Sequence, residues 1–274
     1  MLKSFFAAIA CAAIMAAPAR PSPADSTGRV VGLAMDASSG EDESAFFFDE
    51  LKLSPGGSDG GSDPATRFLS AVPDDIEPYF DLFLYVSKAE RGPIAQHMFG
   101  YRREADGRLS LIHDWLISTG RERREKYFTT TPIGLFKLDP DRFHEDYWSR
   151  TWDAAMPWAM FLDYTLASGR RTGIAIHAVT GDAKVARLGF RDSGGCIRLS
   201  VDAARDLFQT IQASYRGAVP VFATDTINGG TSRTGEVVRL ADGTILTRTG
   251  YRVLLMIEDY GGITGPPVVA STAP

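Results

Sequence analysis

The sequence predicts a mainly β chain of the α+β class with one principal helix. Three observations lead there. Phe80, Leu82, Leu84 and Val86 alternate as one face of a strand. Short apolar stretches separated by Gly, Pro, Ser and Thr turn signals continue from there to Thr180. Only after Ser200 do apolar residues, namely Val201, Ala204, Phe208 and Ile211, recur at helical spacing.

Taken in order, the elements begin after a leader. Residues 1–19 carry Lys3, an apolar run from Phe5 to Ala17 and the small-residue triplet Ala17-Pro18-Ala19, the pattern of a secretory signal peptide. A lipid-anchored reading through Cys11 is disfavoured, because Ala8-Ile9-Ala10 lacks a leucine and the preceding apolar run is short. Residues 20–77 form an amino-terminal extension whose "PGGSDGGSDP", Pro55 to Pro64, reads as a Gly/Ser/Asp-rich linker.

Residues 78–226 hold the strand candidates "YFDLFLYVSKAE", "LSLIHDWLISTG", "YFTTTPIGLFKL", "MPWAMFLDY" and "GIAIHAVT". Ser200 is then an N-cap candidate, and Asp202 suits the positive end of the helix dipole. "AVPVFATD" is a short strand in which Pro220 requires an edge or a bulge. Residues 227–274 are expected to be a carboxy-terminal β appendage, with a hairpin at Asp242-Gly243.

Composition narrows the function classes. The 274 residues carry a formal net charge of −5, which offers no general attraction to nucleic acid or anionic lipid. No stretch reaches the roughly 18 uninterrupted apolar residues of a membrane span, so export without stable membrane insertion is expected. Of the two cysteines, removal of the leader takes Cys11 and leaves Cys196 as a single thiol in an oxidising compartment. Such a thiol is either a buried small hydrophobe or a nucleophile. No metal is expected: the linker aspartates lack calcium-loop spacing, and His144-Glu145 lacks the second histidine of a zinc site.

The chemistry concentrates in "RDSGGCIRLS", Arg191 to Ser200, which offers Ser193 or Cys196 as nucleophile. The Asp192-Ser193-Gly194-Gly195 run resembles a chymotrypsin-like protease, but Arg191 and Cys196 replace that family's flanking glycine and proline, and its Ala-Ala-His-Cys segment is missing. A thiol with a pKa of about 8.5 needs a base, or an imidazolium beside its thiolate. His177, at the end of "GIAIH", shares a strand face with Ala175 and is the candidate, although a half-buried structural histidine fits the same position. Gly194 and Gly195 clear space for a substrate backbone, and N–H groups there or at Cys196 suit an oxyanion.

His177 followed by Ser193, Gly195, Cys196, Ile197 and Arg198 resembles the signature of the YkuD-type L,D-transpeptidase catalytic domain family, with "ISTG", "TPIGLF", "MPWAMF" and "GIAIHAV" in the same order upstream. The resemblance covers roughly residues 78 to 225. It implies a β-sandwich-like catalytic domain with one main helix following the nucleophile, and a cofactor-free cysteine acyltransferase acting on peptidoglycan stem peptides in the periplasm or at the cell wall. Cys196 would expel the terminal D-alanine of a tetrapeptide stem and hold the rest as a thioester, which an amine acceptor resolves in wall cross-linking, remodelling and cell-shape control. His177 would be the base, oriented by the main-chain carbonyl that Ala178 supplies even though the family often has glycine there.

Under this resemblance Arg198 would either bind a substrate carboxylate or tie the loop to Asp192, and Ser193 would shape the loop. The aromatic segments "MPWAMFLDY" and "HEDYWSRTWD" are cleft-wall candidates. The rivals are an L,D-carboxypeptidase or other peptidoglycan hydrolase on the same fold, a non-catalytic peptidoglycan-binding module, and a buried thiol in an unrelated β domain. The acceptor and the oligomeric state are not readable from the sequence.

Overall fold

A computed structural model describes residues 63–125 and 129–262; the expected leader and most of the amino-terminal extension lie outside them. The described chain is mainly β with one long helix, as the sequence predicts. It comprises helix α1 (Pro64–Ala71) and strands β1 (Leu82–Ser87), β2 (His97–Arg103), β3 (Leu109–Leu116), β4 (Gly134–His144), β5 (Trp148–Ser149), β6 (Ala154–Ala155), β7 (Ala159–Leu162) and β8 (Ala175–Ala178). After these come the short helix α2 (Asp182–Val185), β9 (Ile197–Leu199), α3 (Val201–Ser214), β10 (Arg216–Pro220), β11 (Thr247–Tyr251) and β12 (Val253–Glu258).

Eight strands form one mixed sheet in the order β3-β2-β1-β12-β4-β7-β8-β9. Side-chain alternation splits its interior residues between two apolar layers. Leu82, Leu84, Val86, Val253, Leu255 and Ile257 pack on one face with the α3 residues Ala204, Leu207, Phe208 and Ile211. Phe83, Tyr85, Leu254 and Met256 pack on the other with Phe68, Val219 and Phe222. All six residues of β1 are buried, so the polar face implied by alternation alone is replaced by a second core. That layering on both faces is the sandwich-like feature of the fold.

α3 starts where the sequence places it. Ser200 is extended (φ −61°, ψ 159°), and its hydroxyl accepts from the Ala203 N–H at 3.3 Å. Val201 is the exception on the expected apolar face: it sits in the exposed first turn, 38% accessible. Pro220 ends β10, which pairs only with β11 in a two-stranded sheet, so its missing N–H interrupts no central ladder.

Two boundaries differ from the sequence reading. The segment set apart as a carboxy-terminal appendage contributes β12, which runs parallel to β1 and antiparallel to β4 near the centre of the sheet. Its apolar run Val253–Ile257 is buried throughout, and separating it would expose both layers. The last part of the amino-terminal extension is also integral. Asp63 caps α1, Phe68 meets Phe83 edge to face at 5.4 Å, and Arg67 forms a bidentate pair with Glu258 at 2.6 and 2.7 Å. β2 was not singled out in the sequence; its Gly100 and paired arginines disguise a strand lying between β1 and β3.

Candidate active site

β8 and β9 lie side by side and parallel at one end of the sheet, with Ile176 opposite Ile197, His177 opposite Arg198 and Ala178 opposite Leu199. Ile176, Ala178, Ile197 and Leu199 all point into the α3 layer. Alternation therefore turns Ala175, His177, Cys196 and Arg198 to the opposite face. Cys196 packs there with Met156, Ala159, Phe161 and Ala175. His177, Cys196 and Arg198 line one cleft, with Trp152, Met156 and Lys184 among its walls. Cys196 immediately precedes β9, and its side chain lines the same cleft as that of His177.

The His177 ring is fixed from behind. Its Nδ1 lies 2.7 Å from the carbonyl oxygen of Ala178; that acceptor assigns the proton to Nδ1 and leaves the Nε2 lone pair free. His177 is 6% accessible. Burial lowers its pKa to about 4, and the positive charges of Arg198 and Lys184 act in the same direction, whereas the Ala178 bond opposes them. The imidazole is thus neutral at neutral pH.

Cys196 is 8% accessible, and its Sγ lies 3.6 Å from the Gly173 carbonyl. Burial pushes the thiol pKa up, outweighing the opposing Ala175 backbone contact and the Arg198 charge. The expectation of a thiolate held beside an imidazolium does not describe this resting site, because desolvation disfavours both charged forms.

Ser193 is placed as a loop residue. Its hydroxyl donates to the Cys196 carbonyl at 2.5 Å and accepts from the Gly195 N–H at 3.0 Å, and the residue is fully buried. This engagement corrects one expectation, since the Gly195 N–H is already bonded and is not presented to an oxyanion. Among the described residues no partner is recorded for the N–H groups of Gly194 and Cys196. A Cβ on Gly194 would lie 2.5 Å from Trp152 Cζ2. Gly195 has φ +113°, and a Cβ there would meet Ile174 Cδ1 at 2.8 Å and the Thr130 oxygen at 2.9 Å.

Arg198 Nη1 bonds the Asp192 carbonyl at 3.0 Å and its carboxylate at 3.2 Å. Of its two sequence readings, the tie to Asp192 is the contact formed. Arg121 reaches the same carbonyl at 2.9 Å.

The upstream segments brace this loop. The Thr119 carbonyl accepts from the N–H groups of Asp192 and Ser193, and buried Gln96 holds Thr119 N–H at 2.8 Å. Thr131 Oγ1 donates to the Gly195 carbonyl at 2.8 Å and accepts from Gly120 N–H. Lys88 Nζ, 4% accessible, pairs with Glu122 at 2.9 Å and donates to the Thr131 carbonyl at 2.7 Å. Trp152 and Met156 come from the aromatic segments expected to wall the cleft. Gln96, Lys88, Glu122 and Lys184 were not singled out in the sequence, where nothing local distinguishes them from ordinary surface residues.

The family model for the L,D-transpeptidase catalytic domain, YkuD, matches residues 93–244. The chain belongs to this family. β1 and β12, adjacent in the sheet, lie outside the matched span. No curated protein matches the chain.

Similar solved structures include an L,D-transpeptidase from Stackebrandtia nassauensis, with 16% identity and TM-score 0.32, covering 47% of this chain and 50% of that one. An L,D-transpeptidase from Mycobacterium smegmatis has 15% identity and TM-score 0.34 over 65% and 58%. The helical cell shape determining protein Pgp2 from Campylobacter jejuni has 17% identity and TM-score 0.37 over 65% and 48%. The chain therefore spans between about half and three-fifths of the length of these family structures. No helix among the described residues is long and apolar enough to cross a membrane.

Proposed function

We propose that this chain is an exported peptidoglycan L,D-transpeptidase with Cys196 as nucleophile and His177 as its proton carrier. The observation that carries the reading is that His177 on β8 and Cys196 just before the adjacent parallel strand β9 line one cleft, with Nδ1 of His177 anchored on Ala178. Family membership supplies the substrate class, a tetrapeptide stem, and the terminal D-alanine as leaving group.

In the first half-reaction the Cys196 sulfur attacks the carbonyl carbon of the third stem residue while its proton passes to Nε2 of His177. Two neutral resting groups make this a concerted deprotonation rather than attack by a stored thiolate. The tetrahedral oxyanion is stabilised by the unengaged N–H groups of Cys196 and Gly194. Collapse breaks the amide C–N bond, Nε2 returns the proton to the leaving amine, and a thioester remains on Cys196. In the second half-reaction an acceptor amine attacks the thioester, gives a proton to Nε2, and forms the new amide as the sulfur departs and is reprotonated. Water in place of the amine turns the same steps into carboxypeptidase chemistry.

Mass analysis of products from purified protein and disaccharide-tetrapeptide tests the proposal. A cross-linked dimer lacking one D-alanine is expected. A tripeptide alone would replace transfer by hydrolysis, and an unchanged substrate with unmodified Cys196 would overturn the enzymatic reading.

A further inference from the structure

Two cations line the cleft beside Cys196, Arg198 and Lys184, and their charges are in different states. Arg198 is spent on Asp192, with both the carbonyl and the carboxylate of that residue bound to its guanidinium. Lys184, in α2, is exposed, and among the described residues no carboxylate pairs with its ammonium. Its charge is nevertheless felt at His177, where it adds to the downward push on the imidazole pKa. Among the described residues, an ammonium with no carboxylate partner therefore stands in the wall of the cleft that His177 and Cys196 also line.

The position relative to the reaction follows from the chemistry. His177 must deliver its proton to the leaving amine, so the leaving residue lies toward His177. In a terminal amino acid the amine and the carboxylate sit on one carbon. A cation in the wall of the cleft that His177 lines is thus placed to meet the carboxylate of the residue about to leave. We propose, resting on the transpeptidase reading above, that Lys184 binds the free terminal carboxylate of the donor stem and restricts the enzyme to stems that end at the residue being expelled. Arg198, the candidate by sequence, instead holds the nucleophile loop.

The test measures Cys196 acylation and release of the terminal residue, D-alanine or, from the carboxamide, D-alaninamide, with three donors: the tetrapeptide, its terminal carboxamide, and the tetrapeptide amidated only on the side-chain carboxylate of its third residue. A charge-assisted contact of this kind is worth roughly ten- to hundredfold in kcat/KM. The wild type should lose about that factor on the terminal carboxamide and little on the third-residue amide. Lys184→Gln should lose the same factor on the free tetrapeptide and nothing further on the terminal carboxamide, while Lys184→Arg restores most of the discrimination. Equal discrimination by Lys184→Gln and wild type, or coupling to the third-residue carboxylate instead, would overturn the assignment and leave the enzymatic reading standing. No release of the terminal residue from any donor by the wild type, together with an unmodified Cys196, would overturn both.

Discussion

The Ser193 hydroxyl donates to the carbonyl oxygen of Cys196 at 2.5 Å, so one of the two nucleophile candidates serves as a brace for the other. The Ser193 hydroxyl oxygen also accepts from Gly195 N–H, which bends the chain just ahead of the thiol.

Ser193→Ala leaves a buried carbonyl and a buried N–H without partners, a cost of about 1–3 kcal/mol. Denaturant unfolding should register that loss, while the folded variant keeps measurable acylation by an activated donor. Cys196→Ala should show none. A fully folded Ser193→Ala protein that never acylates would return the serine to contention.

His177 predicts an acid-side stability loss. In the folded chain it takes up a proton only near pH 4, against about 6.5 for an ordinary imidazole. Between those values the unfolded state binds more protons, so stability rises with pH. The contribution, about 3 kcal/mol, is fully present above pH 6.5 and is lost as pH falls from there to 4. Unfolding midpoints measured across this window should follow that slope, and His177→Gln should flatten it. In the wild type the acid limb of kcat/KM should also fall well below pH 6.

Gly195→Ala places a Cβ at φ +113° against the Thr130 oxygen, 2.9 Å away. Strain of at least about 1–3 kcal/mol follows, together with displacement of the thiol. Thermal unfolding and alkylation of Cys196 should both change. Native stability with native alkylation kinetics would show that the loop tolerates a side chain.

Buried Lys88 pairs with half-buried Glu122 behind Thr131, which holds the Gly195 carbonyl. Lys88→Met takes the cation from the half-buried Glu122 carboxylate, which keeps its bond from Thr131 N–H, and should cost about 1–3 kcal/mol. Adding Glu122→Gln should recover part of the stability. Acylation should stay impaired in the double variant, because the Lys88 bond to the Thr131 carbonyl is still missing. Recovery of both to wild-type levels would leave the pair with no positioning role.

The sequence by itself determined the elements whose cause is local. Alternation along residues 80–86 marks β1, the Ser200 cap with its spaced apolar residues marks α3, and the order of His177 and the Cys196 loop marks the family. Those signals survive in a linear chain because capping and period depend on neighbours a few residues apart. Tertiary structure alone decided that Val253–Glu258 belongs between β1 and β4, that Arg198 is spent on Asp192 while Lys184 meets no carboxylate among the described residues, and that burial keeps both thiol and imidazole neutral. Each of these is a balance of desolvation and pairing between groups far apart in sequence, and it comes into being only when folding removes water and brings them together.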